Sequence, residues 1–131
     1  MSIRILLIDD DVDDQLIFCE IVEEISPEIE CIYAHNGLEG LNKLGGMDPG
    51  PTMIFLDLNM PMMSGWECLE RIRRDQVASR IPVVIMTTSD NQVDKKRALE
   101  LGAVAFVTKT ADLQSFRQVI RRMVTAERLS L

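Results

Sequence analysis

The chain has 131 residues, 47% of them hydrophobic and 27% charged, with a formal net charge of −7. That balance excludes a disordered tail and suffices for one domain with an ordinary core. No apolar run approaches the roughly twenty residues of a membrane span, and no basic stripe exists to displace counterions from nucleic acid, so neither membrane insertion nor direct DNA binding is expected.

In chain order, "IRILLI" (3–8) is a short continuous apolar run, as expected of a strand covered on both faces. Ile17, Phe18, Ile21, Val22 and Ile25 then fall at helical spacing from Asp14 onward, until Ser26-Pro27 stops them. "EIECIYA" (28–34) predicts a weaker strand, and "NGLEGLNKL" (36–44) a helix closed by Gly45 and Gly46. "TMIFLDL" (52–58) predicts a buried strand, followed by a helix over 65–74 with Trp66, Leu69 and Ile72 inward. "IPVVIMTT" (81–88) is the fourth strand; Ser89 and Gln92 stand in capping-box spacing before a helix that Gly102 ends. "AFVT" (105–108) is the fifth, after which Asp112 caps a helix with Leu113, Phe116, Ile120, Met123 and Val124 on one side.

Five short apolar strands, each followed by a helix, imply right-handed crossovers and an α/β fold with a parallel sheet covered on both faces. The expected organisation is a single domain over 1–131 with no output domain. Cys19, Cys31 and Cys68 are odd in number and widely spaced. They read as buried, reduced thiols of a cytoplasmic protein rather than as a disulfide or zinc framework.

In such sheets ligands bind beyond the carboxyl ends of the strands. There stand Asp9 and Asp10 after the first strand, Asp57 and Asn59 after the third, Thr87 and Thr88 on the fourth, and Lys109 after the fifth. Three carboxylates brought close together repel and raise one another's pKa unless a cation joins them. An all-oxygen set of this size suits Mg²⁺, which keeps several waters. A metal ion, an ammonium and a hydroxyl around an Asp are equipped to receive a phosphoryl group, and carboxylates are known phosphoryl acceptors.

The motifs "ILLIDDD", "IFLDLNMPMMSG", "PVVIMTTS" and "AFVTK" together resemble the receiver domains of two-component response regulators, of the stand-alone CheY-like type. The resemblance spans essentially the whole chain. It implies strand order 2-1-3-4-5. It also implies Asp57 as phosphoacceptor, Asp10 as direct Mg²⁺ ligand, Asp9 as a ligand acting through water, and the backbone carbonyl of Asn59 as a third ligand. Thr87 would be the switch hydroxyl, Lys109 the phosphate-contacting lysine and Phe106 the aromatic switch. Pro61 and Gly65 match the family's turn after the acceptor. Where the family has a proline after the lysine this chain has Thr110, and a trans Lys109-Thr110 bond is expected because a non-proline cis bond costs about 2.5–4 kcal/mol.

Beside the site, Asp11, Asp13 and Asp14 read as first-turn helix residues favoured by caps and the macrodipole. A calcium-loop reading of the same acids fails because Asp14 stands where the loop needs Gly. His35, the single histidine, is expected in a loop. Met60, Met62 and Met63 cluster after Asp57, where part of the patch is expected to be exposed to a partner.

The implied function is a phosphorylation-activated switch, not an enzyme acting on other substrates. A sensor histidine kinase would be the phosphoryl donor; the acidic motifs also resemble the stand-alone receivers that serve bacterial phytochromes. Output would pass by contact with a downstream protein or by relay to a histidine phosphotransferase, from a monomer or a phosphorylation-dependent dimer. Two alternatives are a pseudo-receiver that only binds, against which the complete acid, hydroxyl and lysine set argues, and a Mg²⁺-dependent phosphatase of haloacid-dehalogenase type, for which a cap insertion is missing.

Overall fold

A computed structural model of the chain describes residues 3–48, 50–110 and 112–130. Five strands alternate with five helices: β1 (Arg4–Ile8), α1 (Val12–Ile25), β2 (Glu30–Ala34), α2 (Gly37–Gly46), β3 (Met53–Leu56), α3 (Gly65–Arg74), β4 (Val83–Thr87), α4 (Gln92–Glu100), β5 (Ala105–Thr108) and α5 (Leu113–Ser130). A single 3₁₀ turn, Ala78–Arg80, precedes β4. The sheet is parallel in the order β2-β1-β3-β4-β5, so strand order reverses between β1 and β3.

The continuous apolar runs have their physical reason in two cores. Alternate residues point to opposite faces of a strand. Leu6, Ile8, Ile54, Leu56, Val83 and Ile85 pack with Cys68, Leu69 and Ile72 of α3 and Ala98 of α4. Ile5, Leu7, Met53, Phe55, Val84 and Met86 pack on the other face with Phe18, Ile21 and Val22 of α1 and Phe116, Ile120 and Val124 of α5. Phe18 meets Phe55 edge-on at 4.8 Å between ring centroids, a favoured aromatic geometry. Among the described residues no helix is long and apolar enough to cross a membrane.

Several element ends differ from the sequence expectation. α1 begins at Val12, two residues before Asp14, because Asp11 is the cap and accepts the Asp14 N–H. α2 runs through Gly45 and Gly46, and Met47 closes it by donating to Leu44. Neither glycine has a positive φ, so the helix ends there without a left-handed glycine. The α4 cap is Asn91, whose side chain accepts from Val93 N–H. Ser89 acts one step earlier, accepting from Asn91 N–H and donating to Asp94. Asp112 caps α5 as expected, accepting from the N–H groups of Gln114 and Ser115.

Trp66 is half-buried, with the Arg97 guanidinium 4.2 Å above its ring, rather than fully inside. The three cysteines are free thiols, but only Cys68 is buried; Cys19 and Cys31 are half-buried. Desolvation pushes the Cys31 and Cys68 thiols up to about 12, which leaves them protonated and unreactive.

Candidate functional site

β1 and β3 are neighbours, so the residues that leave their carboxyl ends emerge side by side. Asp9 is fully buried and its N–H donates to Ala34, while Asp57 N–H donates to Ile8, extending the sheet one residue beyond both strands. Asp57 is 6% exposed, and Asp10, beside Asp9, is exposed to solvent. Oxygens of Asp9, Asp10 and Asp57 lie within 4.8 Å of one another. Two buried carboxylates and one open to water form an all-oxygen set that fits a hard divalent cation retaining part of its hydration shell.

Lys109 reaches this group through β5. Its backbone N–H donates to Thr87 at 2.7 Å, one residue beyond the Thr87–Thr108 pair of the β4–β5 ladder. Its ammonium then donates to Asp9 and Asp14 at 2.8 Å each and to Asp57 at 3.4 Å. Only 10% of the lysine side chain is exposed. Burial by itself would lower its pKa, but the bonds to Asp14 and Asp9 and the charges of Asp9 and Asp57 more than offset that and hold it above the ordinary lysine value. For Asp9 burial prevails: desolvation, aided by the charge of Asp57, raises its carboxyl to about 6 against the opposing pull of Lys109.

The remaining predicted residues take distinct places. Asn59 lies beside Asp57, its N–H donating to Asp57 Oδ1 at 3.3 Å. Thr87 is fully buried and its hydroxyl oxygen accepts from Ser89 N–H at 3.5 Å. Phe106 pairs with Ile85 in the ladder, lies on the same sheet face as Thr87, and packs half-buried against the core that includes α3 and α4.

The turn after Asp57 is tightly built. Gly65 N–H donates to Leu58 at 2.8 Å, and a Cβ at Gly65 would stand 2.2 Å from the Asp57 carbonyl oxygen. Glycine is therefore required by a close approach between the head of α3 and the end of β3. The methionines divide: Met63 is buried against Gly37, whereas Met62 is 82% exposed and holds φ at 69°.

Two residues of the site were not singled out from the sequence in these roles. Asp14, read as a first-turn helix residue, closes on Lys109. Gln15 is buried and its amide donates to the Asp9 carbonyl at 2.6 Å while facing His35 Nδ1 at 3.1 Å, which ties α1 to the ends of β1 and β2. His35 does lie just past β2, as expected, with its N–H on Glu39.

Comparison with known proteins agrees with this geometry. The sequence model of the response regulator receiver domain matches residues 5–121. The chain belongs to that family. This receiver is 32% identical over 122 residues to the response regulator Rcp1 of Synechocystis, covering 89% of this chain and 83% of Rcp1. It spans a third or less of the length of two other curated relatives. The crystal structure of the phosphorylated cyanobacterial phytochrome response regulator RcpA superposes with a TM-score of 0.87 at 28% identity, covering 94% of this chain and 91% of that one. The Mn²⁺-bound form of Rcp1 superposes with a TM-score of 0.83 at 29% identity, covering 93% and 91%. The receiver is thus a two-component signalling switch of CheY-like fold, and the expected strand order holds.

Proposed function

We propose that this receiver accepts a phosphoryl group on Asp57 from a phosphohistidine of a sensor histidine kinase of phytochrome type. The observation that carries this reading is the convergence of Asp57, the paired acids Asp9 and Asp10, and the Lys109 ammonium at one sheet edge. Likeness to the cyanobacterial phytochrome response regulator RcpA supports the choice of kinase. Asp9, Asp10, Asp57 and the Asn59 carbonyl would hold Mg²⁺, which when bound offsets negative charge on the transferring phosphoryl oxygens.

An Asp57 carboxylate oxygen attacks phosphorus, the phosphorus–nitrogen bond of the donor breaks, and the imidazole leaves with the bonding pair. Lys109, already within 3.4 Å of Asp57, donates to a phosphoryl oxygen and balances part of the roughly −1.5 to −2 charge gained. The Thr87 hydroxyl supplies a second donor by giving up its local contact with Ser89. Phe106, on the same face and two residue pairs earlier in the ladder, turns into the space that Thr87 leaves. Because Phe106 packs on the α3–α4 side, the outer surface of α4, β5 and α5 changes shape.

The switch acts in the cytoplasm and passes its signal by contact with a downstream protein or by relay to a histidine phosphotransferase, as a monomer or as a dimer formed on phosphorylation. The receiver serves signalling rather than turnover of an external substrate. Intact-mass measurement after incubation with acetyl phosphate and Mg²⁺ tests the acceptor directly. One phosphoryl adduct is expected, lost in Asp57→Asn; an adduct that persists in Asp57→Asn contradicts the assignment.

A further inference from the structure

Lys109 has three N–H donors, and three carboxylates take them. Asp9 and Asp14 hold theirs at 2.8 Å; Asp57 stands at 3.4 Å. Asp9 and Asp57 also belong to the oxygen cluster that fits a divalent cation, whereas Asp14 lies outside it. Asp14 is rooted in the first turn of α1, where its N–H donates to Asp11 at 3.1 Å. Its carboxylate is about one-third exposed, against 10% for the lysine side chain. The ion pair is thus the outer wall of the pocket, connecting elements 95 residues apart in sequence.

We infer that Asp14 is a positioning residue for Lys109, a role that rests on the proposed acceptor function of Asp57. A divalent cation held by Asp9 and Asp57 would engage those oxygens and repel the ammonium. Among the described residues, Asp14 is the one carboxylate partner of Lys109 that lies outside the cation cluster. It keeps the ammonium at the pocket rim, with a hydrogen free to reach a phosphoryl oxygen on Asp57. Without Asp14 the ammonium has only Asp9 and Asp57 as anchors, so it either occupies the cation's place or swings to solvent. A helix-dipole role alone would not distinguish Asp14 from Asp13, which shares the first turn of α1 and is exposed.

The test compares Asp14→Asn, Asp14→Glu and Asp13→Asn in the full chain. The first readout is the rate of phosphorylation by phosphoramidate at saturating Mg²⁺. Losing a charge-assisted bond to the ammonium predicts a fall of about tenfold in Asp14→Asn. Asp13→Asn removes the same charge from the same turn and stays within about twofold, and Asp14→Glu recovers most of the rate. The second readout is water exchange of the Lys109 ammonium hydrogens in the metal-free protein, followed by NMR; it is slow in wild type and Asp13→Asn, and fast in Asp14→Asn. Equal rates and equal exchange in Asp14→Asn and Asp13→Asn would overturn the inference. A wild-type chain with a slow-exchanging Lys109 ammonium that takes no phosphoryl group would instead overturn the acceptor reading.

Discussion

The backbone N–H of Lys109 donates to the carbonyl of Thr87 at 2.7 Å. One hydrogen bond therefore sets the position of the lysine relative to the buried hydroxyl. The β4–β5 ladder, rather than the loop after β5, decides how far the Lys109 side chain must reach to meet Asp57. A receiver can in this way carry Thr110 after the lysine and still deliver the ammonium to the acids.

Removal of the ammonium should expose the repulsion it neutralises. Lys109→Met leaves Asp9 and Asp57 buried together without their cation, a change that costs about 3 kcal/mol when a buried charge loses its partner. Urea unfolding in EDTA at neutral pH should show that loss, and Mg²⁺ should recover most of it. Equal midpoints for the variant and wild type in EDTA would contradict the electrostatic account.

The raised Asp9 carboxyl, at about 6 against an ordinary 3.8, carries a signed prediction. The folded chain keeps a proton that the unfolded chain releases, so this contribution to stability is present below about pH 4 and is lost as pH rises through about 6. Its size is on the order of 2–3 kcal/mol. Glu39, Asp75 and Asp112 are held below their ordinary values by hydrogen bonds, so they act in the opposite sense, and only in more acidic solution. The midpoint of urea unfolding in EDTA should fall between about pH 5 and pH 7, and Mg²⁺ should reduce the fall. A midpoint in EDTA that rises over this interval would refute the assignment of Asp9.

Gly65→Ala should disturb both stability and site. The added methyl would meet the Asp57 carbonyl oxygen at 2.2 Å and the Leu58 Cα at 2.5 Å, and backbone cannot yield as a flexible side chain can. Overpacking of this kind costs about 1–3 kcal/mol. Slower phosphorylation should accompany the lower unfolding midpoint, because the strand end that carries Asp57 has to move.

Thr87→Val keeps the volume of a fully buried side chain and deletes its hydroxyl. Uptake of a phosphoryl group should survive, since Asp57 and Lys109 remain. The change at the α4–β5–α5 surface should be lost, as NMR shifts on adding beryllofluoride would report. Wild-type-like shifts over α4 in the variant would show that Thr87 does not carry the signal.

Trp66 is the single tryptophan, and Arg97 of α4 lies 4.2 Å above its ring. Its fluorescence should therefore sense the seating of α4 against α3. α4 has a single buried residue, Ala98, so little apolar contact holds it in place. Arg97→Ala should shift the emission and cost about 0.5–1 kcal/mol. Beryllofluoride with Mg²⁺ should alter wild-type emission more than that of the variant.

How far the sequence was legible depended on the range of the physics involved. β5 and α3 match their expected bounds because apolar period and local capping are set by adjacent residues. At the head of α4 the spacing of Ser89 and Gln92 points to Ser89 as cap, but neighbouring polar residues compete for that place and Asn91 has the right backbone position. Met62 and Met63 were indistinguishable by composition, yet one is exposed and the other lies against Gly37. Asp13 and Asp14 were alike as first-turn acids until the end of β5 brought an ammonium to one of them.

The sequence by itself determined the alternation of strands and helices, the acids, hydroxyl and lysine at strand ends, and the family they resemble. Hydrophobic period is a local property, and a strand end is marked by the residue that leaves it. Tertiary structure alone decided that Lys109 would be shared among Asp9, Asp14 and Asp57, that Asp9 would be fully buried while Asp10 stayed exposed, and that Gly65 would press on the Asp57 backbone. Those outcomes depend on distances between segments far apart in the chain, and such distances exist only once the sheet has closed its register.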